Sequence, residues 1–286
     1  MTLMSRDLDL SVGADSHLMD NITTLLSRAA AAILEFDFSA VARRLKSDLS
    51  PVTAADEAAQ SIILEGLSQL LPGIPVISEE MNVQDTRLRA DTMFILLDPL
   101  DGTREFLAGR NEFTVNLGLV SGGVPILGCI AAPALGIVWR GMVGRGAERL
   151  QLPAGANALN FKGRELIRTR RLLAEQPIIA VSRSHFDSRT ERLVANIPRA
   201  ERMVCGSSLK FCMIAEGRAD FYPRLGPTHE WDLAAGHAIV AAAGGTVVMP
   251  NGAPLTYGRL TEHFRVDGFM AIGDVSAVQM LAREIS

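Results

Sequence analysis

The sequence is short of several things, and each shortage narrows what the chain can be. It has three cysteines among 286 residues, Cys129, Cys205 and Cys212, and none is spaced from another as paired metal ligands are. An odd number of thiols in apolar surroundings reads as reduced core residues. Basic residues are not in excess: 28 Lys and Arg against 32 Asp and Glu give a net charge of -4, which leaves nothing to neutralise a polynucleotide backbone. Nowhere do apolar residues run for the roughly 20 positions of a membrane span. The first ten residues, MTLMSRDLDL, carry acids where a secretory leader carries a basic region. The reading is a soluble, cytoplasmic protein with a small-molecule partner; peripheral contact with the inner membrane face and pairing into a homodimer stay open. Repeats and low-complexity tracts are also lacking.

What the chain does have is apolar material. At 48% hydrophobic and 21% charged, it can bury a substantial core in one large domain or two ordinary ones. Leu18, Met19, Ile22, Leu25, Leu26, Ala29 and Ile33 recur at helical spacing and predict a first helix from about 15 to 36. A second should run from about Thr53 to Leu71, stopped by Pro72 and Gly73. IPVIS and MFILL read as short buried strands, and FTVNLGLV, PILGCIAA and GIVWRGMV as antiparallel neighbours joined by glycine-rich turns. Residues 150–176 are the least apolar stretch, with LPAGANALN and a basic run through Arg171 that reads as a solvated face, so a boundary is placed near 150–160. Beyond it, PIIAVS, ADFYPRL and TVVM read as strands, and GSSLKFCMIAEG and WDLAAGHAIVAAAGG as helices. The expectation is an α+β unit over 1–155 followed by an α/β unit over 156–286.

The chemistry gathers where apolar runs end. DPLDGTR, residues 98–104, follows a strand, and a turn through Pro99 and Leu100 can bring the carboxylates of Asp98 and Asp101 and the intervening carbonyl toward one point. Oxygen-only ligands of this kind suit a hard cation such as magnesium. Glu79 and Glu80 end another strand, and Asp232 begins a helix after Trp231. Taken singly, each acid is as readily a cap or a surface charge. Together they suggest a metal site, beside which the backbone N–H groups of Gly102 and Thr103 can hold a phosphate oxygen.

These residues carry a resemblance. The Glu-Glu pair at 79–80, DPLDGT at 98–103 and WDLAAG at 231–236, with SPVTAAD at 50–56, resemble the inositol monophosphatase superfamily, in order and over most of the chain. SRSH at 182–185, GSSLKF at 206–211 and YPRLGPT at 222–228 are most similar to its CysQ-type 3'(2'),5'-bisphosphate nucleotidases. The resemblance implies a layered αβαβα sandwich, two sheets with helices between and outside. It implies that Glu79, Asp98, Asp101, Asp232 and the carbonyl of Leu100 bind two or three magnesium ions, and that Asp56 and Thr103, with Glu79, act on the attacking water. Gly102, Thr103 and Asp232, with His185, Ser207, Lys210 and Arg224, would contact the substrate. That substrate would be adenosine 3',5'-bisphosphate, with lithium as inhibitor and sulfur assimilation as the setting. Two rivals remain: an inositol or fructose phosphatase on the same metal core, and a catalytically silent scaffold. The first dozen residues carry no motif and read as a disordered extension, and KSDLS (46–50) as a loop over the site.

Overall fold

Both opening helices form where their periodicity predicts. α1 (Val12–Leu34) turns Ile22, Leu26, Ala29 and Ile33 fully inward. The two-residue strands β1 (Arg44–Leu45) and β2 (Pro51–Val52) pair antiparallel before α2 (Ala54–Leu70). The computed structural model of the chain describes residues 12–37, 44–45, 51–81, 93–172, 176–258 and 263–285. The expected N-terminal extension, apart from the start of α1, and the expected loop at 46–50 lie outside the described residues.

β3 (Val76–Ser78) lies parallel to β4 (Phe94–Asp101), which is followed by the short α3 (Thr103–Leu107). Then come β5 (Thr114–Ser121), β6 (Val124–Ala132), β7 (Ile137–Met142), β8 (Gly146–Gln151) and β9 (Gly163–Ile167), each antiparallel to its predecessor. These seven strands form one sheet in sequence order. The rest of the chain runs β10 (Ile178–Ser182), α4 (Ser188–Asn196), β11 (Glu201–Cys205), α5 (Leu209–Ala215), β12 (Phe221–Arg224), β13 (Thr228–His229), α6 (Glu230–Ala242), β14 (Thr246–Val248), β15 (Arg265–Val266), β16 (Phe269–Ile272) and α7 (Val278–Ile285). Here a five-stranded sheet has the order β11-β10-β12-β16-β14.

Alternation along the strands explains the layers. Successive side chains on a strand point to opposite faces. Ile95 and Leu97 of β4 therefore join α1 and α2 on one side of the larger sheet, while Phe94 and Leu96 join the core of α5 and α6 on the other. In β16, Phe269 and Ala271 face that same middle layer, and Met270 and Ile272 face α4 and α7. The result is the layered αβαβα sandwich that the resemblance implied. Phe211, Tyr222 and Phe269 close the middle layer, with ring centroids 5.0 to 5.4 Å apart.

Glycine sets how closely α6 can lie on the larger sheet. Gly118, Gly128 and Gly141 sit opposite one another on β5, β6 and β7, making a side-chain-free track across three strands. A Cβ at Gly128 would stand 2.1 Å from the carbonyl oxygen of Ala235, and one at Gly118 would stand 2.6 Å from the Ala234 Cβ. Backbone approaches of that kind need glycine.

The stretch 150–176 departs from the sequence reading. It contains the end of β8 and all of β9, which pairs Gly163 with Gln151 and Ile167 with Ala147. Arg164, Glu165 and Leu166 are exposed, as a solvated basic run should be, but on an edge strand. An edge strand with one buried residue has no alternation to read. α4, β11, β16 and α7 were likewise not anticipated.

Candidate active site

The site begins with a defect in the β4–β5 ladder. Asp98 pairs with Asn116 and Asp101 with Thr114, so Pro99 and Leu100 together oppose the single residue Val115. A bulge of this kind re-aims side chains, and the Leu100 N–H donates to Asp98 Oδ1 at 3.1 Å, fixing the buried carboxylate. Next, Gly102 adopts φ 91° and starts α3. A Cβ there would lie 3.0 Å from the carbonyl oxygen of Glu112, so both conformation and space call for glycine.

Glu79 follows β3, and its N–H donates to the Leu97 carbonyl at 3.1 Å, which sets it beside the end of β4. Asp232 is the third residue of α6; its Oδ2 accepts the His229 N–H at 3.0 Å and the hydroxyl of Thr228. Three elements far apart in sequence thus converge. Glu79, Asp98 and Asp232 each offer a carboxylate oxygen, all within 4.8 Å of one another. Asp101 borders the same space, and its pKa is pushed up to about 6, first by burial and then by the charge of Asp232. Lys210, the Asn116 hydrogen bond and Arg224 oppose that shift only in part. Carboxylates held this close, joined by a backbone carbonyl at Leu100, form an all-oxygen donor set that fits a hard divalent cation.

The acids line one wall of a cavity of about 370 Å³. Glu79, Asp98, Leu100, Asp101, Gly102, Thr103 and Asp232 meet there with His185, Ser207, Lys210 and Arg224 from the second half of the chain. Every site residue predicted from the sequence lines it except Asp56. That carboxylate is buried at the start of α2, where it accepts the N–H of Thr53 at 2.9 Å and the Thr53 hydroxyl at 2.6 Å in a capping box. The Thr103 hydroxyl donates to the Leu100 carbonyl at 3.2 Å.

A polar seam joins the two halves. Asn116 Nδ2 donates to Asp101 Oδ2 at 3.4 Å, Ser208 Oγ donates to Asn116 Oδ1 at 2.7 Å, and the Thr114 and Ser208 hydroxyls lie 2.7 Å apart. Beside them Ser207 takes a left-handed φ of 45°. Glu112 receives both Arg183 Nε and Nη2 at 2.7 Å and the Gly206 N–H at 2.8 Å. The Arg183 bonds are the main reason its carboxyl sits below the ordinary value. The pKa of His185 is lowered by burial first and then by the charges of Arg224 and Arg104. Sequence reasoning missed Thr114, Asn116, Glu112, Ser208 and Arg104. One signal was readable: a buried Asn in the middle of an apolar strand is uncommon and asks for partners.

Comparison with known proteins agrees with this geometry. The sequence profile described as the inositol monophosphatase family matches residues 15–267. The chain is 42% identical over 212 residues to the 3'(2'),5'-bisphosphate nucleotidase CysQ of Shigella flexneri, covering 74% of this chain and 81% of that protein. With the CysQ of Escherichia coli O157:H7 it shares 39% over 242 residues, covering 84% and 94% respectively. Among solved structures, CysQ from Bacteroides thetaiotaomicron, described as a bacterial member of the inositol monophosphatase family, superposes with a TM-score of 0.74 at 31% identity, covering 92% of this chain and 99% of that one.

Proposed function

The chain belongs to the inositol monophosphatase family, and from that premise we propose that it is a magnesium-dependent 3'(2'),5'-bisphosphate nucleotidase, a phosphoric monoester hydrolase that converts adenosine 3',5'-bisphosphate to AMP and phosphate. The observation that carries this reading is a single cavity with a carboxylate cluster on one wall and Lys210, Arg224 and His185 on another. The acids suit a cation that receives the phosphate under attack. The basic groups suit a second anionic group, which inositol monophosphate lacks. The names of the CysQ relatives support the same choice.

Glu79, Asp98, Asp101, Asp232 and the Leu100 carbonyl would hold the magnesium, whose contribution is positive charge at the phosphate oxygens and a lower pKa for water. Gly102 and Thr103 present the start of α3 to the phosphate. Thr103 orients the attacking water, and Asp56 draws its proton away. Supporting this assignment are the place of Thr103 on the cavity wall and the burial of Asp56 beside the Thr53 hydroxyl. The water oxygen bonds to phosphorus as the bond to the ribose 3' oxygen breaks in line, and that oxygen leaves with a proton; no side chain is phosphorylated. In this scheme residues 1–155 supply most of the metal ligands, and 156–286 supply Asp232 and the nucleotide contacts. The free, buried thiols of Cys129 and Cys212 suit the reducing cytoplasm. No helix among the described residues is long and apolar enough to cross a membrane.

The test is phosphate release with magnesium from adenosine 3',5'-bisphosphate, inositol 1-phosphate and fructose 1,6-bisphosphate at equal concentration. The expected outcome is a kcat/KM for the nucleotide larger by about a hundredfold, the discrimination that one or two extra charge-assisted contacts supply. Preference for a sugar phosphate would retain the metal site and discard the nucleotide assignments of His185, Ser207, Lys210 and Arg224.

A further inference from the structure

The cations of the cavity differ in how far their bonding capacity is already used. Lys210 is almost wholly buried; its ammonium donates to the Ser207 carbonyl and, at 3.4 Å, to that of Cys205, and it lies 5.2 Å from the centre of the Tyr222 ring. Arg224 donates to the Pro227 carbonyl at 2.9 Å. Arg104 lines the same cavity, is exposed, and has no hydrogen-bond or ion-pair partner among the described residues. The nearby acids are taken: Glu105 accepts the Ser184 hydroxyl, and Glu112 is bonded to Arg183 and the Gly206 N–H. Arg104 is also close enough to Arg224 in effect that both charges work against protonation of His185.

We propose that Arg104 binds the second phosphate of a nucleoside bisphosphate, the one that is not hydrolysed, and thereby sets the preference for bisphosphates over monophosphates. This rests on the nucleotidase reading given above. Arg104 follows Thr103 on α3, and successive residues of a helix project about 100° apart. With Thr103 directed at the reacting phosphate, its neighbour is turned aside, toward a group adjoining that phosphate. A guanidinium with all five N–H donors unused matches a phosphate dianion bidentately. Lys210 and Arg224, already bonded to carbonyls, then serve mainly to shape and charge the wall.

The experiment compares kcat/KM for adenosine 3',5'-bisphosphate and for 3'-AMP, with magnesium, in the parent protein, Arg104→Gln and Arg104→Lys. Loss of a charge-assisted pair should lower the bisphosphate-to-monophosphate ratio about 30-fold in Arg104→Gln, largely through KM, with Arg104→Lys falling between. Melting temperatures guard against misfolding, since Arg104 is exposed and its replacement should leave them unchanged. A ratio that stays within about twofold of the parent, whether both activities fall together or neither falls, overturns the proposal. If the parent hydrolyses inositol 1-phosphate and neither nucleotide, the substrate reading itself falls, and this inference with it. If the parent does prefer the bisphosphate while Arg104→Gln keeps that preference, only the role of Arg104 falls.

Discussion

Asp98→Asn should lower kcat/KM by about a thousandfold or more, the equivalent of roughly 4 kcal/mol of lost transition-state stabilisation. The substitution is chosen to change charge and little else. Asn has the shape of Asp and keeps an oxygen for the Leu100 N–H, which donates to Asp98 Oδ1 at 3.1 Å, so the bulge should survive. What disappears is one of three carboxylates whose oxygens lie within 4.8 Å of one another. Without metal, that loss relieves like-charge repulsion. Melts recorded in chelator should therefore show the variant no less stable than the parent, even as turnover collapses. Stability gained with activity lost is the signature of a carboxylate kept for its charge; a variant that retains a tenth or more of the activity would show that these acids do not hold the ion of the reaction.

Gly128→Ala should destabilise the protein by about 3 kcal/mol, near the upper end of ordinary overpacking costs. The new Cβ would start 2.1 Å from the Ala235 carbonyl oxygen and 2.9 Å from its carbonyl carbon. Backbone in a helix cannot swing away as a flexible side-chain end can, so α6 must lift from the sheet. Asp232 rides on the first turn of α6, and a lifted helix carries it away from Glu79 and Asp98. Activity should accordingly fall together with the urea midpoint at unchanged m-value. A midpoint indistinguishable from the parent would mean that the sheet yields in place of the helix.

How much of this was legible in advance depended on what each feature needs. Strands with one buried face on each side, such as β4 and β5, announce themselves by apolar runs, and DPLDGT marked the end of β4 because two acids, Pro and Gly cannot continue a buried strand. The edge strands β9 and β11 could not be found that way, since most of their side chains are exposed. Gly118, Gly128 and Gly141 were visible within strands, but the reading gave glycine to the turns alone; that they stand in one line depends on inter-strand register. Asp56 illustrates another limit. An acid three residues after Thr53 writes a capping box and a proton acceptor in the same letters, and the structure shows the first.

The placement of α6 bears on how the molecule comes apart. Trp231, Leu233, Ala234, Ala235, Ala238, Ile239 and Val240 are all buried, because one sheet lies beneath the helix and the other above it. Such a helix has no face to offer to water, so neither sheet can unfold and leave it covered by the survivor. A chain of 286 residues is long enough to melt in stages; this one should melt in a single step, its calorimetric and van't Hoff enthalpies agreeing. The two sheets share one fate because they share one helix.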